Sequence, residues 1–586
     1  MKKTLHIILL SFIITAFGCT SNKQTDNNAE ADKTFSKFED TFLDAYWKEY
    51  PSGSIFNGYG KYYENLVIPD NASFINRIAF SKQWLDSLNH LDFKALDNNN
   101  KISFNIIKNQ LESDIWYVSV FKQQEWDASM YNIAGECDYI INQPYAPLDE
   151  RLKILSKHLE HADDYYKAAL TTLSNPTKEH LELSIMQNQG GLSLFGSTLT
   201  DSIKASHLTS SEKDALQQNI TKATKAINDF VVSLKAIAAD KNHAFRNFRI
   251  GKKLFEEKFK YDLATDFTPE QVFEKAKADK QMYHQKMQTI ANSLWSKYYP
   301  AQSKATDSLQ IVQLVLDKIQ LQHATPASFF DSLTDQVYRL KEFIVEHKLF
   351  DFDTASTPIK VRLMPEYERG FSVASAEFTP AYQKSGTTFY NIDDLTLYKP
   401  EKAEGVLKEY NNYSSQLLSI HEAIPGHCVQ GIYNNKKSPD VVRSVFQNGA
   451  MIEGWAVYTE SMMLENGWGN NSPEMELVHD KLKLRELANV MIDYQLQCLD
   501  ASKEDLVHLM VNECFQTNAQ AEEKYHRATV SQVQLCSYYS GSTAILSLRD
   551  DYKKKLGDKY SLKDFHEKFL SYGSSPVKYI RERMME

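Results

Sequence analysis

Glycine and proline are scarce in this 586-residue chain, at 21 and 16. So few turn-formers over such a length leave little room for many short strands and favour long helices. Basic charge is not in excess either: 66 Lys and Arg stand against 76 Asp and Glu, a formal net charge of −10. That balance argues against nucleic acid as a partner, because phosphate backbones are usually met by a basic face. The best basic cluster, Lys553-Lys554-Lys555, reads as a solvated helix face. Cysteine is sparse: apart from Cys19 there are five, widely scattered, which excludes a disulfide framework and implies at least one free thiol. What is present is ordinary globular material, 42% hydrophobic and 24% charged, with 32 Tyr and 31 Phe that suit a large packed core and a ring-lined cleft.

The start of the chain reads as a leader. Lys2 and Lys3 precede Leu5 to Phe17, a mostly apolar run too short to span a bilayer comfortably, which takes about 20 residues. Thr15-Ala16-Phe17-Gly18-Cys19 resembles a bacterial lipobox, in which the cysteine is lipidated and becomes the mature N-terminus; plain signal-peptide cleavage is the alternative. The expectation is a signal peptide over 1–19, a polar, aromatic-free tether over 20–35 and one large domain over 36–586. The protein would then sit in the cell envelope, attached to the membrane through its lipid alone. The residues after Cys19 carry no acidic retention signal, which points to the outer membrane.

Residues 36–350 read as helix after helix. Phe38, Phe42, Leu43, Tyr46 and Trp47 recur at helical spacing, as do Ile106, Ile107, Leu111, Ile115 and Val118. Over 351–400 the period changes to two: Ile359, Val361 and Leu363 alternate with Lys360 and Arg362, and Thr387 to Ile392 is also strand-like. Residues 401–586 return to helix. The predicted class is mainly α with a small β element.

The chemistry concentrates in Ser419-Ile420-His421-Glu422-Ala423-Ile424-Pro425-Gly426-His427-Cys428. A His-Glu pair followed by a second His resembles the zinc helix in which two histidines at i and i+4 hold the ion and the Glu activates water. Here the second histidine stands at i+6, which on a regular helix leaves the two rings about 120° apart. Pro425 cannot donate back to the carbonyl of His421, and Gly426 tolerates unusual dihedrals. A bulge at this pair would return His427 to the face of His421. Cys428 would face another side and is not expected to be a ligand. Twenty-six residues on, Glu453 lies among Ala450, Gly454, Ala456 and Val457, on a helix predicted from near Asp440 to near Asn466. A carboxylate on so small and apolar a face is costly to bury unless it is paired or metal-bound. The small neighbours would let this helix approach the histidine helix closely. Glu460, seven residues further, shares the face and could receive the N–H of a ligand histidine.

The segments His421–His427 and Glu453-Gly454-Trp455-Ala456 resemble the hallmarks of the bacterial family called domain of unknown function 885, over nearly all of the chain after the tether. Members of that family resemble helical zinc oligopeptidases of the thimet type. The resemblance implies zinc held by His421, His427 and Glu453, a peptide substrate, and a two-lobed helical fold with a central cleft. Glu422 would be the general base. A third matching stretch, Arg527-x6-Gln534-x3-Tyr538-x2-Gly541, implies that Tyr538 donates to the oxyanion and that Arg527 holds a substrate carboxylate; Gln534 belongs to the same pattern, and Tyr525 and His526 are alternatives beside it. Two positions depart from the family pattern: Gln532-Val533 replaces a Pro-Gly, and Gln497 stands where a histidine is usual. The strand near Thr387–Ile392 is a candidate to take an extended peptide by β-addition. The competing functions are a metal- or peptide-binding lipoprotein without turnover, and a zinc hydrolase of a non-peptide amide or ester.

Overall fold

The computed structural model describes residues 19–351, 359–365, 369, 372–383 and 386–586. The expected leader lies outside the described residues, apart from the backbone of Cys19. Helices make up most of the fold, and many begin where side chains close their free N–H groups. Thr209 and Glu212 form a capping box at the start of Ser210–Ala239. Thr268 and Gln271 do the same for Pro269–Tyr298, where Pro269 occupies the first turn and needs no N–H partner. Among the described residues no helix is long and apolar enough to cross a membrane.

The first helix, Cys19–Glu49, runs through the residues expected to form a flexible tether, and this corrects the sequence reading. Phe35 and Phe42 are fully buried, and Phe38 stands edge-on to Trp84 at 5.4 Å. The anchored part nucleates the helix, and no Gly or Pro upstream of it back to Cys19 interrupts propagation. Polar composition alone hid this.

Three apolar clusters fill the interior. One lies among residues 55–234, and one packs the first helix against residues 88–111 and Val442. The largest crosses the expected division at 350: Phe255, Met287 and Leu340 share it with Ile420, Trp455 and Phe569. Helix Pro269–Tyr298 packs along Pro473–Cys498, so the long helices before and after the sheet make one core. Periodicity marks which face of a helix is buried, not what buries it.

The sheet has three strands, β1 (Ile359–Leu363), β2 (Ala374–Glu377) and β3 (Thr388–Ile392), in the order β1-β3-β2. β3 is central: Tyr390 pairs with Val361 in the parallel direction and with Ala376 in the antiparallel one. Both its edges are therefore taken, so peptide addition at Thr387–Ile392 is excluded. β2 packs against the two helices that carry the histidines.

Candidate metal centre

The two histidines sit on separate helices, Ser414–Glu422 and His427–Lys437, rather than on one bulged helix as the sequence suggests. Ala423 to Gly426 make a sharp turn between them, with a cis Ile424–Pro425 bond. Ile424 and Gly426 donate to the carbonyls of Ser419 (3.1 Å) and Ile420 (2.9 Å). The chain folds so tightly here that a Cβ at position 426 would lie 1.8 Å from the His421 carbonyl oxygen, which only glycine avoids. Trp455 Nε1 donates to the Pro425 carbonyl at 3.0 Å and ties the turn to the helix of Glu453.

That helix, Gly449–Glu465, begins at Asn448, whose side chain accepts from Met451 N; Val442–Val445 upstream is a separate turn, so the helix starts later than predicted. The helix packs against both histidine helices, as expected, and its small face also meets a third neighbour. Gly454 is pressed against Gly541 of helix Ser537–Leu556, where a Cβ on Gly541 would come within 1.7 Å of the Ala450 carbonyl. The crossing holds Tyr538, one turn before Gly541, in the wall of the same cavity as His421.

His421, His427 and Glu453 converge. Glu453 Oε2 lies 3.8 Å from His421 Nε2 and 3.6 Å from His427 Nε2, and one ligand atom from each residue falls within 4.8 Å of the others. A tetrahedral ion with bonds of ~2.0–2.1 Å spaces its ligands by roughly 3.3 Å, so the set needs little adjustment to hold zinc, and two imidazoles with one carboxylate suit that ion. His421 Nδ1 donates to Glu460 Oε1 at 2.7 Å, which fixes the tautomer and turns Nε2 toward Glu453. Burial alone would raise the Glu453 carboxyl; the His421 and His427 rings outweigh it and hold the group well below the usual carboxylate range. His421 is the counterpart: burial opposes its charge, yet Glu453 and Glu460 raise its pKa well above the ordinary value.

A cavity of about 230 Å³ opens beside these groups, lined by His421, Glu422, Glu460, Arg527 and Tyr538. Gln534 stands behind it and accepts from Arg527 Nη2 at 2.6 Å; the same nitrogen donates to Tyr538 Oη at 3.4 Å. His526 is exposed and does not line the cavity. The Cys428 thiol lies 3.9 Å from the Phe389 carbonyl oxygen. Sequence reasoning missed Tyr410, Arg485 and Lys524, which also line the cavity. Arg485 and Lys524 lie on long helices among many other charges, and nothing in their spacing sets them apart.

The two departures have structural accounts. Gln497 is buried, accepts from Ile250 N and donates to the Ala528 carbonyl, both at 3.0 Å, so it joins three segments of chain. Val533 is buried at φ 73°, a left-handed conformation that glycine adopts freely and a β-branched residue only under strain.

The family described as bacterial protein of unknown function, DUF885, matches residues 51–584. The chain belongs to that family. A solved structure of a candidate lipoprotein of unknown function from Shewanella oneidensis is 40% identical, covers 94% of this chain and 100% of its own, and superposes with a TM-score of 0.87. A second, of a candidate lipoprotein from Colwellia psychrerythraea, is 15% identical and shares the fold over 96% of this chain and 98% of its own, with a TM-score of 0.74. Nothing among curated proteins matches.

Proposed function

We propose that the protein is a zinc-dependent peptidase. The observation that carries this reading is the convergence of His421, His427 and Glu453 beside Glu422, a carboxylate that metal binding alone does not need. His421 and His427 would hold zinc through their rings and Glu453 through its carboxylate. When bound, the ion supplies Lewis acidity toward a water and a substrate carbonyl. Glu422 takes the proton from the attacking water and passes it to the leaving amine. Tyr538 donates to the oxyanion, and Arg527 holds the phenol in place. Glu460 keeps His421 in the ligating tautomer. The outer edge of β2, unpaired among the described residues and against both histidine helices, can align an extended peptide; this replaces the buried β3 in that role. The active centre would lie between two helical lobes, as in thimet-type peptidases. The lipobox and the two similar lipoproteins support a lipid anchor at Cys19 in the cell envelope, and the absence of an acidic retention signal after Cys19 supports the outer membrane.

The test is hydrolysis of a mixed peptide library by the zinc-loaded protein beside Glu422→Gln. The parent should cleave, lose activity to a chelator and regain it with zinc. The variant should keep its zinc and lose activity by ~10²–10⁴-fold. Full activity of a zinc-loaded Glu422→Gln protein would sink the mechanism.

A further inference from the structure

A second, larger cavity adjoins the one beside Glu422. It measures about 980 Å³, and Glu409, Ser414 and Leu482 line both. One wall is a face of helix Ser308–Ile319: Gln310, Gln313 and Asp317 recur at helical spacing, and Asp307 stands at the helix start. From Asp307 to Asp317 this wall runs ~15 Å at ~1.5 Å per residue, room for about four or five residues of extended chain at ~3.3 Å each. Its Asp317 end lies toward the candidate metal centre, because Asn412 N donates to the Gln322 carbonyl at 2.8 Å just before helix Ser414–Glu422 begins. Along that helix Ser414 precedes His421 by ~10 Å, the length of about three extended residues.

The wall carries Asp307, Asp317, Glu409 and Glu513 against Lys481 and His508. Glu409 pairs with Lys481 at 3.2 Å and with Arg485 at 3.6 Å, and Glu513 pairs with Lys280. Asp307 and Asp317 pair with no basic side chain among the described residues; Asp307 Oδ1 accepts from Leu309 N at 2.8 Å. Asp317 is held in place by uncharged groups. Gln313 and Gln320 both donate to its Oδ1, at 2.8 and 3.2 Å, and Oδ2 is left without a partner among the described residues. An acidic wall alone would take any cation, and Gln516 narrows the choice. It is 5% exposed and lines the cavity, yet neither its Oε1 nor its Nε2 has a partner. Buried polar groups are normally paired, and an amide needs a donor and an acceptor together. A peptide unit supplies both, and a bare cation does not. We propose that this cavity is a groove for a basic stretch of the peptide substrate. Asp317 pairs with a Lys or Arg side chain about three or more residues from the scissile bond, and Gln516 turns its amide onto a backbone peptide unit beside it. Asp307, at the far end, favours a second basic residue. This deepens the peptidase reading and rests on it.

Capped decapeptides of one neutral sequence test the proposal, with a single Lys, or its uncharged near-isostere norleucine, placed at each position in turn. Hydrolysis by the zinc-loaded protein is followed by mass spectrometry, which gives the cleaved bond. Binding is measured by calorimetry with zinc-loaded Glu422→Gln, which separates affinity from turnover. At a position about three to five residues from the cleaved bond, Lys should lower KM at least ~10-fold against norleucine, the worth of about one charge-assisted bond. Asp317→Asn should bring the two peptides to one KM with zinc content retained, and Asp317→Glu should keep the preference. Gln516→Leu should weaken binding of the Lys and norleucine peptides by the same factor; parent-like binding of both would overturn the amide contact. Cleavage without a Lys preference, or with one that Asp317→Asn leaves intact, would overturn the groove and leave the peptidase standing. Spermidine bound as tightly as the Lys peptide would overturn recognition of a peptide chain. If no peptide is cleaved, the peptidase reading falls and binding alone decides: tighter binding of a Lys peptide, lost in Asp317→Asn, supports the groove, and equal binding overturns it.

Discussion

Histidines in two parts of this molecule are treated differently. In the N-terminal helices, His158 has both ring nitrogens closed, on the Tyr63 carbonyl and on Glu136, each at 3.0 Å. His180 is closed as well, by Thr177 at 2.7 Å and the Val530 carbonyl at 3.2 Å. At the candidate metal centre His421 closes one nitrogen on Glu460 and turns the other toward Glu453, 3.8 Å away. His427 faces Glu453 at 3.6 Å, and its other nitrogen is buried without a protein partner. Burial of a polar group normally demands a partner. His421 Nε2, His427 Nε2 and Glu453 Oε2 point at one spot with no hydrogen bond among them, the arrangement the proposed zinc would complete; where every nitrogen is closed, the histidine is structural.

Exchanging one histidine from each region breaks the comparison if it is wrong. His421→Ala should lose its equivalent of zinc and, on the peptidase reading, turnover by about three orders of magnitude, the several kcal/mol that metal polarisation contributes. His158→Ala should keep one zinc and lose about 1–3 kcal/mol of stability, because it strands Glu136 and a carbonyl. The cleanest readout is the stability that a chelator removes. His158→Ala should show the parent's increment and His421→Ala none. Equal increments in both variants would mean that openness of the ring does not mark the ligands.

The main elements of the candidate centre are legible in the chain because its parts are local. His421, Glu422, Pro425, Gly426 and His427 lie within seven residues, and Glu453 declares itself as a carboxylate on a small, apolar helix face. What is not legible depends on partners far along the chain. The small face around Gly454 says that something approaches closely, but only the fold shows that it is Gly541. Strand period marks Thr388–Ile392 as β, but strand order, which makes it central, depends on β2, whose four residues Ala374–Glu377 carry no clear alternation. Arg485 and Lys524 take their place in the cavity wall only through the fold.

A smaller effect sharpens the rule by touching the closed nitrogen of His421. Glu460→Gln keeps the shape and removes the charge that orients the ring. It should weaken zinc affinity by ~10–100-fold, measured by competition with a chelator of known affinity, while the fold stays intact. If Glu460→Gln bound zinc as the parent does, the 2.7 Å contact would be structural, like those of His158.

A last test comes from an exception. Asp493 is fully buried and has one oxygen without a partner, its second oxygen is 3.7 Å from Cys536 Sγ, and among the described residues it joins no cluster of three ligand-type groups. An open atom here reflects protonation, not a ligand. Burial outweighs the bonds from Cys536 and the Val533 backbone and raises the carboxyl from 3.8 to about 8. The folded chain therefore holds a proton that the unfolded chain releases once the pH passes 4. Stability from this group is full below pH 4 and declines as the pH rises toward 8, by up to ~1.4 kcal/mol per pH unit. Asp493→Asn keeps a neutral group and should flatten that part of the decline between pH 5 and 8, read from urea unfolding of parent and variant at matched zinc. Parallel curves would mean that Asp493 is ionised in the fold, and its open oxygen would then need a cation.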